Sequence, residues 1–170
     1  MATLYSYATS SGAASNWNNN APTDNFAYQF AATATGVPGS MVINVRGTFG
    51  AGACVFDFYI RDQRTISGAT TYATATAITL VPGGNNVTFS GGSSITSGNT
   101  YYLWQARTSA STDYPQFDGN FGGGPNTLYK STASNADPNT SWLTSFGLYV
   151  TITSAAAATG NPAFLINFLR

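Results

Sequence analysis

The run CVFDFYIRD at residues 54–62 places Cys54, Phe56, Phe58 and Ile60 on one side and Asp57, Tyr59 and Arg61 on the other. Successive side chains of an extended backbone point to opposite faces, so this period of two predicts a half-buried β-strand. A helix would repeat its apolar positions every three to four residues instead. Just upstream, MVINVRGTF (41–49) follows the same rule, with Met41, Ile43, Val45 and Phe49 against Asn44, Arg46 and Thr48. The intervening GAGA is short enough to be the turn of a hairpin.

Working outward, the same signal recurs between turn residues. AITLV, from Ala77, stops at Pro82-Gly83-Gly84-Asn85, and NVTFS follows from Asn86. FGLYVTITS places Phe146, Leu148, Val150 and Ile152 inward, and AFLINFLR ends the chain after an Asn-Pro turn. About eight strands at sandwich-like spacing are expected, with no window of helical period. The predicted fold is all-β, a single jelly-roll-like antiparallel β-sandwich over 25–170. It is preceded by an extended N-terminal arm, residues 1–24, that docks on a neighbouring subunit.

In ITSGNTYYLWQART (95–108) both faces of the strand are aromatic. Tyr101, Leu103 and Gln105 share one side, and Tyr102, Trp104 and Ala106 the other. Such a strand is central, or its outer face is covered by a loop or another subunit; an exposed sugar platform is the competing reading, weaker because aromatic side chains more often pack than bind.

Composition bounds the function. A chain of 170 residues suits one domain. Only 7% of its residues are charged, where about 25% is usual. The formal net charge is zero, so the polar surface must be Ser, Thr, Asn, Gln and Gly, and a surface without self-repulsion is safer in an assembly than alone. The scattered arginines form no basic patch, which argues against nucleic acid. No stretch has the form of a secretory signal or a bilayer span, so synthesis in the cytoplasm and no membrane partner are expected.

Chemistry is scarce. No histidine is present, which removes the usual Ser, His and Asp machinery. The lone Cys54 reads as a small buried hydrophobe. Asp113 and Asp118 are the only two acids close together in one predicted loop, STDYPQFDGNFGGGPN (111–126). Its Asp, Asn and Gly could bind calcium through carboxylates and carbonyls, but the spacing matches no EF-hand pattern, and a long tip loop of turn residues is the preferred reading. No catalytic residue, metal or cofactor is expected. The sequons at Asn86 and Asn139 carry little weight in a chain so rich in Asn and Thr, and Gly122–Gly124 lacks the lysine and helix of a phosphate loop.

The order NFAYQFAAT, GSMVINVRGTF, FDFYIRD, NNVTFSGG, ITSGNTYYLW and SFGLYVTI resembles the jelly-roll β-sandwich modules of bacterial surface and anchor-type proteins and of phage virion proteins. Ile95, Gly98 and Tyr101 occupy the L-x-x-G-x-x-Y element of those modules, over a resemblance spanning about Phe26 to Thr153. It implies a non-enzymatic structural protein of the virion, made in the host cytoplasm: a bacteriophage capsid decoration (cement) protein, or a tail or fibre component. Partners would be other copies of the chain, expected as a trimer, and the major capsid protein. Tyr5, Tyr7, Trp17, Leu165 and Leu169 are the expected interface residues. In the C-terminal run, Phe164, Ile166 and Phe168 share one face while Leu165 and Leu169 flank Asn167 on the other. A carbohydrate-binding module, with Trp17, Trp104 and Trp142 to check, and a surface adhesin are the alternatives from other classes.

Overall fold

The computed structural model describes residues 1–8, 14–16, 25–49, 54–108, 114–131, 136–138 and 140–156. It is all-β, with no helix among those residues. The strands are β1 (Thr3–Tyr7), β2 (Ala14–Asn16), β3 (Asn25–Ala31), β4 (Pro38–Phe49), β5 (Cys54–Arg61), β6 (Thr71–Leu80), β7 (Gly83–Thr88), β8 (Thr100–Arg107), β9 (Tyr114–Lys130), β10 (Thr140–Leu148) and β11 (Val150–Ser154). They form one antiparallel sheet along β1-β11-β4-β9-β3-β8-β5-β6, with β7 added beside β4 and β2 and β10 beside β9.

The sheet curls so that its inner faces share one core. Tyr5 of β1 lies 5.0 Å, centroid to centroid, from Phe30 of β3, although three strands separate β1 from β3 along the sheet. Phe56 of β5 meets Phe117 of β9 edge-on at 6.4 Å. The alternating stripes are buried as their period requires: Phe56, Phe58, Ile60, Leu148, Val150 and Ile152 are all at most 3% exposed. Met41, Ile43, Val45 and Cys54 join them, and Cys54 is in no disulfide.

Four expectations are corrected by the pairing. First, β4 and β5 are not a hairpin: β4 pairs β7, β9 and β11, whereas β5 pairs β6 and β8. A short connection can equally carry the chain across the core, and both strands then bury their apolar faces in it. Second, FGLYVTITS is two strands. Leu148 pairs Gly119 of β9 and Val150 pairs Ile43 of β4, so the chain changes neighbours at Tyr149 without losing its alternation. Third, β6 begins at Thr71, six residues before Ala77, and contains an irregularity between Ala75 and Ile78. Ala77 sits there at φ 55°, with its N–H donated to Asp57 Oδ1 at 2.8 Å.

Fourth, much of the predicted tip loop is β9, a 17-residue strand. Its glycines are turn residues in composition only. A Cβ on Gly119 would stand 2.7 Å from the Phe146 ring, and one on Gly124 would overlap the backbone of Phe146 and Gly147. Small residues here let β10 lie close, while Phe117 and Leu128 anchor the strand at 0% exposure. Of the expected N-terminal arm, residues 1–8 and 14–16 are described. β1 is a strand of its own chain's sheet, with Tyr5 opposite Ile152, and Leu4 and Tyr5 are core residues. Residues 17–24, including Trp17, lie outside the described set.

The aromatic strand β8 is central, between β3 and β5. The turn that launches it explains its sequence. Gly98 adopts φ 83°, a region that disfavours any side chain with a Cβ. Ile95 is fully buried, and the Tyr101 hydroxyl accepts the Thr96 N–H at 2.9 Å. Residues 32–36 pair with 95–99 through Gly36 and Ile95, Thr33 N–H donates to Leu4 O of β1, and Ser90 N–H donates to Thr74 O of β6. Parts of both terminal strands are thereby covered, which blunts edges that would otherwise template aggregation.

Gln105 of β8 faces the core at 0% exposure, and neither its Oε1 nor its Nε2 has a hydrogen-bond partner. A buried amide left unpaired carries its full desolvation cost, so Gln105→Leu is expected to raise stability by about 1 to 3 kcal/mol. Chemical denaturation checks this; a loss of more than about 1 kcal/mol would show that the amide is satisfied in solution.

Candidate functional site

The outer face of β3, β8 and β5 is the most chemically differentiated surface among the described residues. Alternation sends Trp104 and Tyr102 of β8, and Tyr59 and Arg61 of β5, to this side. Trp104 is nevertheless only 1% exposed. The segment 62–70 between β5 and β6 crosses over it as a strap, and the indole N–H donates to Gln63 O at 3.1 Å. The strap is closed on itself by Asp62, whose Oδ1 accepts the Thr70 N–H at 2.8 Å. It is tied to the segment after β9 by the Ile66 N–H, which donates to Asp137 Oδ1 at 2.6 Å.

Two arginines organise the face. The Arg61 guanidinium lies 4.6 Å from the ring centres of both Tyr59 and Trp104, and Arg64 lies 4.2 Å from that of Tyr129. Such contacts hold a cation over the negative face of a ring. Tyr129 in turn donates to Gln29 Oε1 at 3.0 Å and meets Tyr102 edge-on. Burial lowers the Arg61 pKa from its ordinary value, and burial followed by the charge of Asp57 raises that of Tyr59. Beneath the strap, Asn25, Tyr59, Arg61, Ile66, Trp104 and Ala106 line a half-open cleft of about 180 Å³. The Nε of Arg61 is buried and has no hydrogen-bond partner.

A second surface, on the outer side of β1, β11, β4 and β7, has the opposite character. The registers align Thr3, Thr153, Ser40 and Thr88 in one row and Ser6, Thr151, Val42 and Asn86 in the next. Hydroxyl pairs lock neighbouring strands, Ser6 to Thr151 at 2.9 Å and Ser40 to Thr153 at 2.7 Å. Neither row carries a charged side chain, and Val42 is 39% exposed. The rows could not be assembled from sequence because each member belongs to a different strand.

Of the residues expected at an interface, Tyr5 and Tyr7 fall within the described set. Tyr5, 6% exposed, bonds through its hydroxyl to the Tyr28 hydroxyl at 2.7 Å, and Asn126 Nδ2 donates to both. Tyr7 is half-buried, its hydroxyl accepting from Asn120 Nδ2 at 3.1 Å. Both tyrosines therefore serve their own subunit first. Trp17, Leu165 and Leu169 lie outside the described residues, as do Asp113, Asn139 and the Trp142 side chain. Asp118 is half-buried in β9, and no three acidic, cysteine or histidine residues cluster to hold a metal among the described residues.

The tyrosine network has a pH signature. Burial raises the pKa of both Tyr5 and Tyr28 above the ordinary tyrosine value. A group whose folded pKa is raised stabilises fully below its unfolded pKa, and that contribution fades as pH rises toward the folded one. Stability is expected to fall above about pH 10, by about 1.4 kcal/mol per pH unit for each tyrosine kept protonated. Denaturation at pH 8 to 11 reads the slope; a Tyr28→Phe variant with an unreduced slope would contradict the assignment.

No protein-family model and no curated protein matches the chain.

Proposed function

We propose that this chain is a non-enzymatic structural protein of a virus particle, a bacteriophage capsid decoration (cement) protein that stabilises the shell through contacts between copies and with the major capsid protein. The observation that carries the reading is the pair of uncharged rows across β1, β11, β4 and β7, aligned hydroxyls and an amide around an exposed valine, with Arg46 of β4 further along the same side. Interface centres are depleted in charge, and rows of this kind can meet another surface without stranding an ion. Each such contact is weak, and repetition over a lattice multiplies it. The low overall charge acts in the same direction, because little self-repulsion opposes assembly.

The reading is tested by placing charge on the face. Val42→Lys with Thr88→Lys alters two exposed positions on the paired strands β4 and β7. Exposed substitutions of this kind change fold stability by only about 0.5 kcal/mol each. Sedimentation velocity is expected to show an oligomer, with a trimer as the expected number, for the wild type and folded monomers for the variant. A wild-type monomer at high concentration, or a variant with unchanged mass, would count against this face.

A further inference from the structure

We propose that the cleft under the strap is a binding site for one acidic sugar unit of a polysaccharide, with Arg61 receiving the carboxylate. The inference does not rest on the assembly reading, because the whole cleft belongs to one copy of the chain.

Arg61 is the cation of the cleft. Its guanidinium is fixed against two rings, and contact with ring faces does not consume the N–H donors, which lie in the guanidinium plane. The Nε donor is buried and unpartnered. Asp57 accepts from Ala77 N–H and the Tyr59 hydroxyl and Asp137 from Ile66 N–H, and the charge of Asp137 acts on Arg61. A half-buried cation that lines a cleft and has a donor no group of the chain takes up is a receptor for an anion.

The size and walls select which anion. About 180 Å³ is more than an acetate-sized ion fills and of the order of one six-membered sugar ring, smaller than the pockets of about 300 to 1,000 Å³ that take drug-sized ligands. The walls combine an aromatic ring (Tyr59), aliphatic groups (Ile66, Ala106) and an amide (Asn25), which match the C–H face and hydroxyl edge of a pyranose. Asp57 and Asp137 add negative charge nearby, which disfavours a doubly charged phosphate and leaves a singly charged carboxylate as the fitting group. Trp104 is the floor rather than a platform, so the site differs from an exposed stacking surface.

The test is a titration of the folded chain with D-glucuronate, D-glucose and acetate, following the Trp104 indole N–H resonance by NMR. Saturable binding of glucuronate, at least about tenfold tighter than either glucose or acetate, is the expected result. Arg61→Met should weaken glucuronate by a similar factor while Arg46→Met, on another strand, leaves it unchanged. Should Arg61→Met not fold, Ile66→Glu places a negative charge at an exposed position of the cleft wall and is expected to weaken glucuronate as strongly. No saturable response, equal affinity for glucose, or equal affinity for acetate would each overturn the proposal, the last by reducing the cleft to a simple anion site. Unchanged glucuronate affinity in Arg61→Met or Ile66→Glu would overturn it as well.

Discussion

Phe58→Ala is expected to lower the free energy of unfolding by about 3 to 5 kcal/mol. Phe58 is fully buried at the middle of β5, opposite Gln105 of β8 and Ala75 of β6, with the Phe56 ring 6.1 Å away. Removing the ring forfeits its transfer from water and leaves a cavity that neighbours held by two ladders of hydrogen bonds can fill only in part. Ile66→Ala, at a position 51% exposed on the strap, should change stability by no more than about 0.5 kcal/mol. Chemical denaturation of the two variants beside the wild type separates them. An unchanged midpoint for Phe58→Ala would contradict the register that turns Cys54, Phe56, Phe58 and Ile60 inward.

Gly124→Ala should be nearly as damaging, by about 3 kcal/mol, the upper end of the usual cost of overpacking, although it adds a single methyl group. Overpacking is usually relieved by turning a side chain to another rotamer. Here the obstacle is the backbone of Phe146 and Gly147, so relief requires β10 to move away from β9. That displacement would disturb Phe146 and Leu148, both fully buried, and through Gly147 the Tyr7 ring packed against it. Gly47→Ala is the control. Its Cβ would meet only Gln116 Oε1 at 3.6 Å, an ordinary contact at the end of a flexible side chain, and its cost is expected within about 1 kcal/mol. If Gly124→Ala melted with the wild type, the close approach of β9 and β10 would be wrong.

The all-β class and the inward stripes were legible in the sequence because alternation is a local property. Cys54 to Ile60 needs no partner to reveal which side is apolar. Pairing is not local. Nothing within MVINVRGTF or CVFDFYIRD distinguishes a hairpin from a crossing of the core, since both arrangements bury the same residues. The stretch Ser111–Asn126 misled for a related reason. Asp, Gly, Asn and Pro favour turns by their intrinsic conformations, yet glycine is also required where two backbones approach closely, and the approaching strand lies more than 20 residues further along. At the amino end, Tyr5 and Tyr7 showed no extended periodicity because β1 is short and irregular between Thr3 and Tyr5. The aromatic character of β8 was legible, and so was the need to cover its outer face. That the cover is the strap 62–70, held by Trp104 and the two arginines, depended on contacts spanning about 40 residues.

The role in a virus particle is tested most directly by asking where the chain resides. Particles purified from infected cells on two successive density gradients, then analysed by quantitative mass spectrometry, should contain the chain at a fixed ratio to the major capsid protein. The Val42→Lys and Thr88→Lys variant should fall below that ratio while its fold survives. A chain that is abundant in the lysate yet absent from intact particles, and monomeric in solution, would contradict the account.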